Sequence, residues 1–427
     1  MSLRLSRRHA LLASGALALP SRAFAQEAAN DAGRDLAGEV DAYVRRCLAA
    51  WPDQPALGVA VVADGRPLLT RGYGVRKQGA AAQVDEHTLF AIASNTKNVT
   101  AAAMAMLVDE GKVKWDTPVR DYLPGFTLSD PVIGERITVR DTLSHRAGFG
   151  LGAGDLLFWP NSDRTRAEIM AAVPHVPIED QFRARYHYCN LMFVVAGEVI
   201  AAVSGMPWED FVQTRILDRV GMSETVPLMS RADPTKSALP HGRIGPPLRY
   251  QGPMTLLSDT IVGIWDWDAA AAAELPGRSI ASTYALGWQV QDYRGERMVT
   301  HGGGSPGGIS ATVLIPGRKV GFAIFSNAEE SYLLRSLRSG VADILMGKGE
   351  GFDWIADSQR LEAEGREKSL AAAAEIDAKQ AAGAAPSLPL SAYAGTWRDP
   401  WYGDIVISQR DGGLWLDFTR SLALKGP

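Results

Sequence analysis

Cysteine is scarce in this 427-residue sequence: only Cys47 and Cys189 occur, and a bridge between them is not expected. Neither shares a metal-binding spacing with the seven scattered histidines, and there is no H-E-x-x-H, so a zinc hydrolase has no support. No basic cluster lies outside the N-terminus and the formal net charge is −4, which argues against nucleic acid as a partner. Beyond residue 25 no apolar run is long enough to span a bilayer. No internal repeat is visible. What the chain does have is apolar material, 46% of its residues, ample for a large core and for two domains.

The first residues read as an export signal. Arg4, Arg7 and Arg8 precede the apolar run Ala10 to Leu19, and Ala23-Phe24-Ala25 offers a small-x-small cleavage site before Gln26. Ser6-Arg7-Arg8-His9-Ala10-Leu11-Leu12 also has the twin-arginine pattern, which addresses folded proteins for export. Residues 1–25 are therefore expected to be a cleaved signal peptide, and the product periplasmic or secreted, with no integral membrane segment left.

Periodicity then divides the chain. Gly33 to Ala50 reads as an amphipathic helix, and Leu57 to Val62 and Pro67 to Tyr73 as strands joined at Asp64-Gly65, a hairpin signal. A helix follows in which Val99, Ala102, Ala103, Met106 and Leu107 keep helical spacing up to a cap at Gly111. From Asp116 to Val220 the pattern is helical with proline-punctuated loops, and Asn190 to Val203 is apolar nearly all round, as in a buried helix. Strand patterns return at Tyr284 to Asp292, Arg297 to His301, Ile309 to Ile315 and Val320 to Asn327. Leu333, Leu337, Val341, Ile344 and Leu345 form one helical stripe. Strands at both ends with helices between predict an α+β fold: one antiparallel sheet covered by the terminal helices, plus an inserted all-helical region. Asp357 to Ala382 reads as an exposed helix or linker without a core of its own. The tail offers two or three strands, at Asp404 to Ser408 and Leu414 to Phe418 among others, too few to stand alone.

Chemistry concentrates in three places. Ser94 and Lys97 lie three apart where a short apolar run turns into a helix, so both project from one face of its first turn. A serine hydroxyl needs a neighbouring base to become a nucleophile. A lysine serves once burial and the positive helix end disfavour its ammonium form. Tyr188 and Asn190 stand directly before the buried apolar helix. A tyrosine beside a lysine can hold a lowered phenol pKa and pass protons, and Asn190 can orient a substrate; equally, Tyr188 could pack and Asn190 cap the helix. His301-Gly302-Gly303-Gly304 closes a strand, and its glycines either offer backbone N–H groups to a developing oxyanion or make a flexible turn.

Two further patterns are set aside. Gly303-Gly304-Ser305-Pro306-Gly307 fits the G-x-S-x-G nucleophile elbow, but the elbow's oxyanion hole needs the backbone N–H of the next residue, and Pro306 has none. The segment also leads into a strand where an elbow must open a helix. Asp141 to Phe149 reads as a helix end with a glycine cap, and nothing there demands chemistry.

The order S-x-x-K, Y-x-N, H-x-G resembles the serine β-lactamases and penicillin-binding proteins. Asp109 to Val113, Leu143-Ser144-His145-Arg146-Ala147-Gly148, Gly221-Met222 and Tyr284-Ala285-Leu286-Gly287-Trp288 are similar to the class C branch, which includes D-amino-acid peptidases and family VIII carboxylesterases. The resemblance covers residues 40 to 345 and implies a β-lactamase/transpeptidase-like domain at 33–348. A helical linker at 349–388 and part of a small β-barrel-like module at 389–427 follow. It further implies Ser94 as acylated nucleophile, Lys97 as its base, Tyr188 as proton carrier, and Asn190 as substrate-orienting. Gly302 to Gly304 line the substrate, the N–H groups of Gly304 and Ser94 framing the acyl oxygen. His301 occupies the place of the lysine in the lactamase K-T-G. A histidine, mostly neutral at pH 7, is more similar to the esterase and peptidase members. Gly263 to Ala285 is short against the family pattern, with the run Ala269 to Ala273 in place of a further helix. The implied protein is an exported serine hydrolase with no metal or cofactor, acting on small esters, amides or β-lactams, esters first. A catalytically weak binder of cell-wall peptides is the alternative.

Overall fold

The computed structural model describes residues 34–159, 162–179, 181–242, 249–250, 282–348, 352–383, 386–421 and 424–426. The expected signal peptide and the Ala269–Ala273 run lie outside the described residues.

The fold is α+β. Helix α1 (Leu36–Ala50) leads into β1 (Ala56–Ala63) and β2 (Arg66–Gly74), a hairpin turning at Asp64-Gly65, both at positive φ. Helix α2 (Thr96–Asp109) opens the helical insertion, which also holds α3 (Val139–Thr142), the apolar α4 (Leu191–Ser204) and α5 (Trp208–Val212). Strands β3 (Ser282–Ala285), β4 (Trp288–Tyr293), β5 (Glu296–Ser305), β6 (Gly308–Ile315) and β7 (Val320–Ser326) return to the sheet, and α6 (Ser331–Leu345) covers it. The sheet runs β2-β1-β7-β6-β5-β4-β3, antiparallel throughout.

Two cores follow from this arrangement. One lies between the sheet and the terminal helices, where Leu57, Val59 and Val61 of β1 and Ile324 of β7 meet Val40 and Val44 of α1 and Leu337 and Val341 of α6. The other belongs to the insertion and packs Met104 and Leu107 of α2 against Phe193 of α4, Phe149 and Phe211. Each such side chain contributes about 1.5–3 kcal/mol when fully buried. All five residues of the stripe Leu333 to Leu345 are buried, as the helical period requires.

Sequence and structure differ at two places in the sheet. Tyr284 to Asp292 is two strands, because Leu286 and Gly287 both take positive φ and reverse the chain as a tight hairpin. Strand β5 runs on through the glycines to Ser305, paired with β6 as Gly302↔Ala311, Gly303↔Ser310 and Gly304↔Ile309, so the flexible-turn alternative does not hold. Ser305 lies at the end of this ladder and leads into another strand, as its exclusion from an elbow requires.

The connecting helix α7 (Trp354–Ala381) is docked at its start and exposed later. Trp354 is buried and donates to Asp343 at 2.8 Å, and Trp51 donates to Glu362 at 2.7 Å. The tail forms a four-stranded sheet of β8 (Gly395–Asp399), β9 (Gly403–Arg410), β10 (Gly413–Phe418) and β11 (Lys425–Gly426). It seats on the helical insertion: Trp401 packs against that core, Arg164 donates to the Tyr402 carbonyl, and Arg420 pairs with Asp163 and Glu168.

The terminal helices approach closely where Gly340 of α6 meets Tyr43 of α1. A Cβ there would sit 2.1 Å from the Tyr43 ring. Gly340→Ala is expected to destabilise the protein by about 1–3 kcal/mol, read as a lower denaturation midpoint. An unchanged midpoint would show that this contact does not govern how α1 and α6 share the sheet.

Candidate active site

The site begins with a strained turn. Ala93, at φ +46, precedes Ser94 in a short 3-10 turn that feeds α2, and this aims Ser94 and Lys97 the same way. Lys97 Nζ lies 3.0 Å from Ser94 Oγ. Tyr188 OH lies 2.6 Å from the same Ser94 oxygen. Lys97 Nζ also donates to Asn190 Oδ1 at 2.7 Å. Asn190 makes no capping bond to α4 although it precedes the helix, so its side chain is given wholly to the cluster.

Electrostatics follow from burial. Lys97 is fully buried, with its amine near the rings of Tyr188 (4.9 Å) and Phe193 (5.3 Å). Loss of water draws its pKa down to about 7, against the upward pull of Asp155. Tyr188 departs from the lowered phenol expected: burial drives its pKa up, with the Ser94 hydrogen bond opposing. It is a neutral phenol that can donate to Ser94.

The second wall is β5. Strand β4 pairs with β5 only as far as Thr300, so the half from His301 onward has β6 on one side and the Ser94 turn close by. Gly303 makes that approach possible, because a Cβ would stand 2.2 Å from the Ile92 carbonyl and 2.3 Å from Ser310 Oγ. Ser310 donates to the same carbonyl at 2.8 Å and Asn95 donates to Ser310 at 2.8 Å, tying turn to strand. His301 faces away from the serine in its bonding: Nε2 meets Tyr284 OH at 2.9 Å and Nδ1 meets the Gly302 carbonyl at 2.5 Å. Burial, then repulsion from Lys97, lowers its pKa to about 4, so it is neutral near pH 7.

Two residues of the site escaped sequence reasoning. His145, from the segment read as a plain helix end, is fully buried against Tyr188 (4.2 Å) and Tyr284 (4.4 Å) and accepts the Cys189 N–H at 3.1 Å. Only its place in the Leu143 to Gly148 resemblance pointed to it. Both carboxylate oxygens of Asp155 accept from the Asn190 amide nitrogen, at 3.2 and 3.1 Å, and no motif marked this residue. The β3–β4 hairpin closes on the same group, with Gly287 donating to Leu143 and a Cβ at Gly287 placed 2.6 Å from the Lys97 carbonyl. Cys47 and Cys189 are free and lie in different cores.

The family profile for β-lactamases matches residues 41–255 and 262–342. The chain belongs to the β-lactamase family. As a member it is a serine hydrolase of the acyl-transfer type. A second profile, a domain of unknown function, matches residues 379–426. An unguisins hydrolase from Aspergillus campestris is 29% identical over 428 residues, spanning 88% of this β-lactamase-family chain and 78% of the relative. Penicillin-binding protein 4 of Amycolatopsis lactamdurans is 25% identical, spanning 64% of the chain and 81% of its own length. Among solved structures, the octameric penicillin-binding protein homologue from Pyrococcus abyssi superposes with a TM-score of 0.59 at 18% identity, covering 89% of this chain and 87% of that one. The D-amino acid amidase of Ochrobactrum anthropi does so with a TM-score of 0.58 at 19% identity, covering 74% and 98%.

The depressed Lys97 pKa has a sign. Between its folded value of about 7 and the unfolded value of 10.5, the unfolded chain binds a proton that the folded chain does not. Stability therefore rises with pH across that window and is lost as pH falls through 7. Chemical denaturation of the wild type should show this rise, and Lys97→Met should lack it. Parallel pH dependences would contradict the buried-amine assignment.

Proposed function

We propose that this β-lactamase-family chain forms an acyl-enzyme on Ser94 and hydrolyses small carboxylic esters. The observation that carries the reading is the buried amine of Lys97, held 3.0 Å from Ser94 Oγ and drawn down to a pKa of about 7 by loss of water. Neutral Lys97 takes the Ser94 proton as Oγ attacks the acyl carbon. The backbone N–H groups of Ser94 and Gly304 receive the oxyanion. Tyr188 then supplies a proton to the leaving group, and with Lys97 takes one from the water that releases the acid. Asn190 orients Lys97 and the acyl donor, Gly302 gives the substrate room along β5, and Gly303 sets that strand close beside the Ser94 turn.

The neutral His301 supports esters over β-lactams. With both ring nitrogens bonded and a pKa of about 4, it presents no cation to a substrate carboxylate. Amides of D-amino acids and short peptides form the second reading, favoured by the protonated Tyr188 at 2.6 Å from Ser94, since an amine leaving group needs a proton. The proposal includes export through the N-terminal signal, no metal or cofactor, and a hydrolase domain at 33–348, a helical connection at 349–388 and a β module at 389–427.

A turnover panel of short p-nitrophenyl esters, nitrocefin and D-alanyl amides is expected to rank esters first. Ser94→Ala should lower ester turnover at least about a thousandfold and abolish fluorophosphonate labelling. Labelling that persists in Ser94→Ala, or moves to loss in Ser305→Ala, would overturn the nucleophile. Labelling at Ser94 without turnover of any panel member would leave a binding protein in place of an enzyme.

A further inference from the structure

An asparagine amide has two unlike ends, and at this site each end faces a group that suits only one of them. The Asp155 carboxylate accepts and cannot donate, so it takes the Asn190 NH2, at 3.2 and 3.1 Å. The Asn190 oxygen is thereby turned to Lys97 Nζ, at 2.7 Å. The reverse orientation would point NH2 at the amine. A neutral amine would then have to accept there with the one lone pair that the Ser94 proton requires.

Asp155 is built to do this. It is buried, opens a short 3-10 turn, and follows Gly154 at φ +79, where a Cβ would stand 2.8 Å from Leu191 of α4. The turn is therefore pressed against the same helix start that carries Asn190. No hydrogen bond links Asp155 to Ser94 or to Tyr188 among those seen.

We propose that Asp155 is a positioning residue for acylation: its buried carboxylate fixes the Asn190 amide with Oδ1 toward Lys97, leaving the amine's lone pair for Ser94. The inference rests on the Ser94 reading above. A second consequence is electrostatic. The titratable groups facing Asp155 are Lys97 from α2 and Tyr188 and Cys189 from the segment before α4. Burial keeps the phenol and thiol neutral, so Lys97 is the partner whose charge changes near neutrality. The Asp155 charge pulls the amine's pKa up against burial. Asp155 itself is raised to about 6 by burial, so it is ionised where Lys97 titrates.

The test is the rate of fluorophosphonate labelling of the full chain as a function of pH. Asp155→Asn keeps the shape, removes the charge and can hold Asn190 in either sense. It is expected to move the midpoint of the acid limb down by about half a pH unit or more and to lower the plateau rate by about tenfold. A residue that only supports the fold would change the labelled fraction or the melting temperature and leave the midpoint alone. An unmoved midpoint, or a wild-type plateau, overturns the inference. If Asp155→Asn does not fold by circular dichroism, Asp155→Ser is read by the same two quantities. Labelling that survives Ser94→Ala defeats the nucleophile reading and this inference together. Labelling lost in Ser94→Ala but indifferent to Asp155 defeats this inference alone.

Discussion

The burial of one amine organises this molecule. An ammonium ion in apolar surroundings is costly enough that the group gives up its proton instead, and Lys97 sits among Tyr188, Phe193 and the body of α4. A compensating charge, Asp155, is one amide away, so the proton affinity is lowered but not lost. Everything else in the site is arranged around that amine. Ser94 stands one helical turn before it, Asn190 accepts from it, and Tyr188 meets the same serine oxygen.

Three close approaches, two of which only glycine allows, hold this group in place. Gly303 lets β5 lie against the carbonyl of Ile92, Gly287 lets the β3–β4 hairpin touch the backbone of Lys97, and Ser310 bonds the Ser94 turn to β6. The sheet and the helical insertion thus meet at Ser94, each supplying one wall. The positive φ of Ala93 is where the chain bears the strain of this junction.

Much of this was legible beforehand, and what was not has physical reasons. The i, i+3 spacing of Ser94 and Lys97 is a local property of a helix turn, so it is visible in the sequence, and the five-residue stripe of α6 is visible for the same reason. The break at Leu286-Gly287 was hidden because Tyr284 to Asp292 alternates as a single strand would, while the turn there is set by contact with α2. Asp155 and His145 were hidden because their roles exist only in three dimensions: each acts on the Tyr188 to Asn190 segment from a distant loop. Tyr188 was misjudged in the direction of its pKa, since burial of the ring, which penalises the phenolate, outweighs the Ser94 hydrogen bond that favours it. Ser305 stands where the sequence puts it, at a strand end leading into another strand, because the proline after the serine and the strand ahead of it are both readable from sequence.

Whether Lys97 can act as a base toward Ser94 depends on its protonation state. Nitrogen-15 NMR of lysine-labelled protein, with the Lys97 amine assigned by its loss in Lys97→Met, gives that state directly. The expected titration midpoint is near 7. A midpoint near the ordinary lysine value of about 10.4 would contradict it, since the amine would then be an ammonium at neutral pH and no base for Ser94.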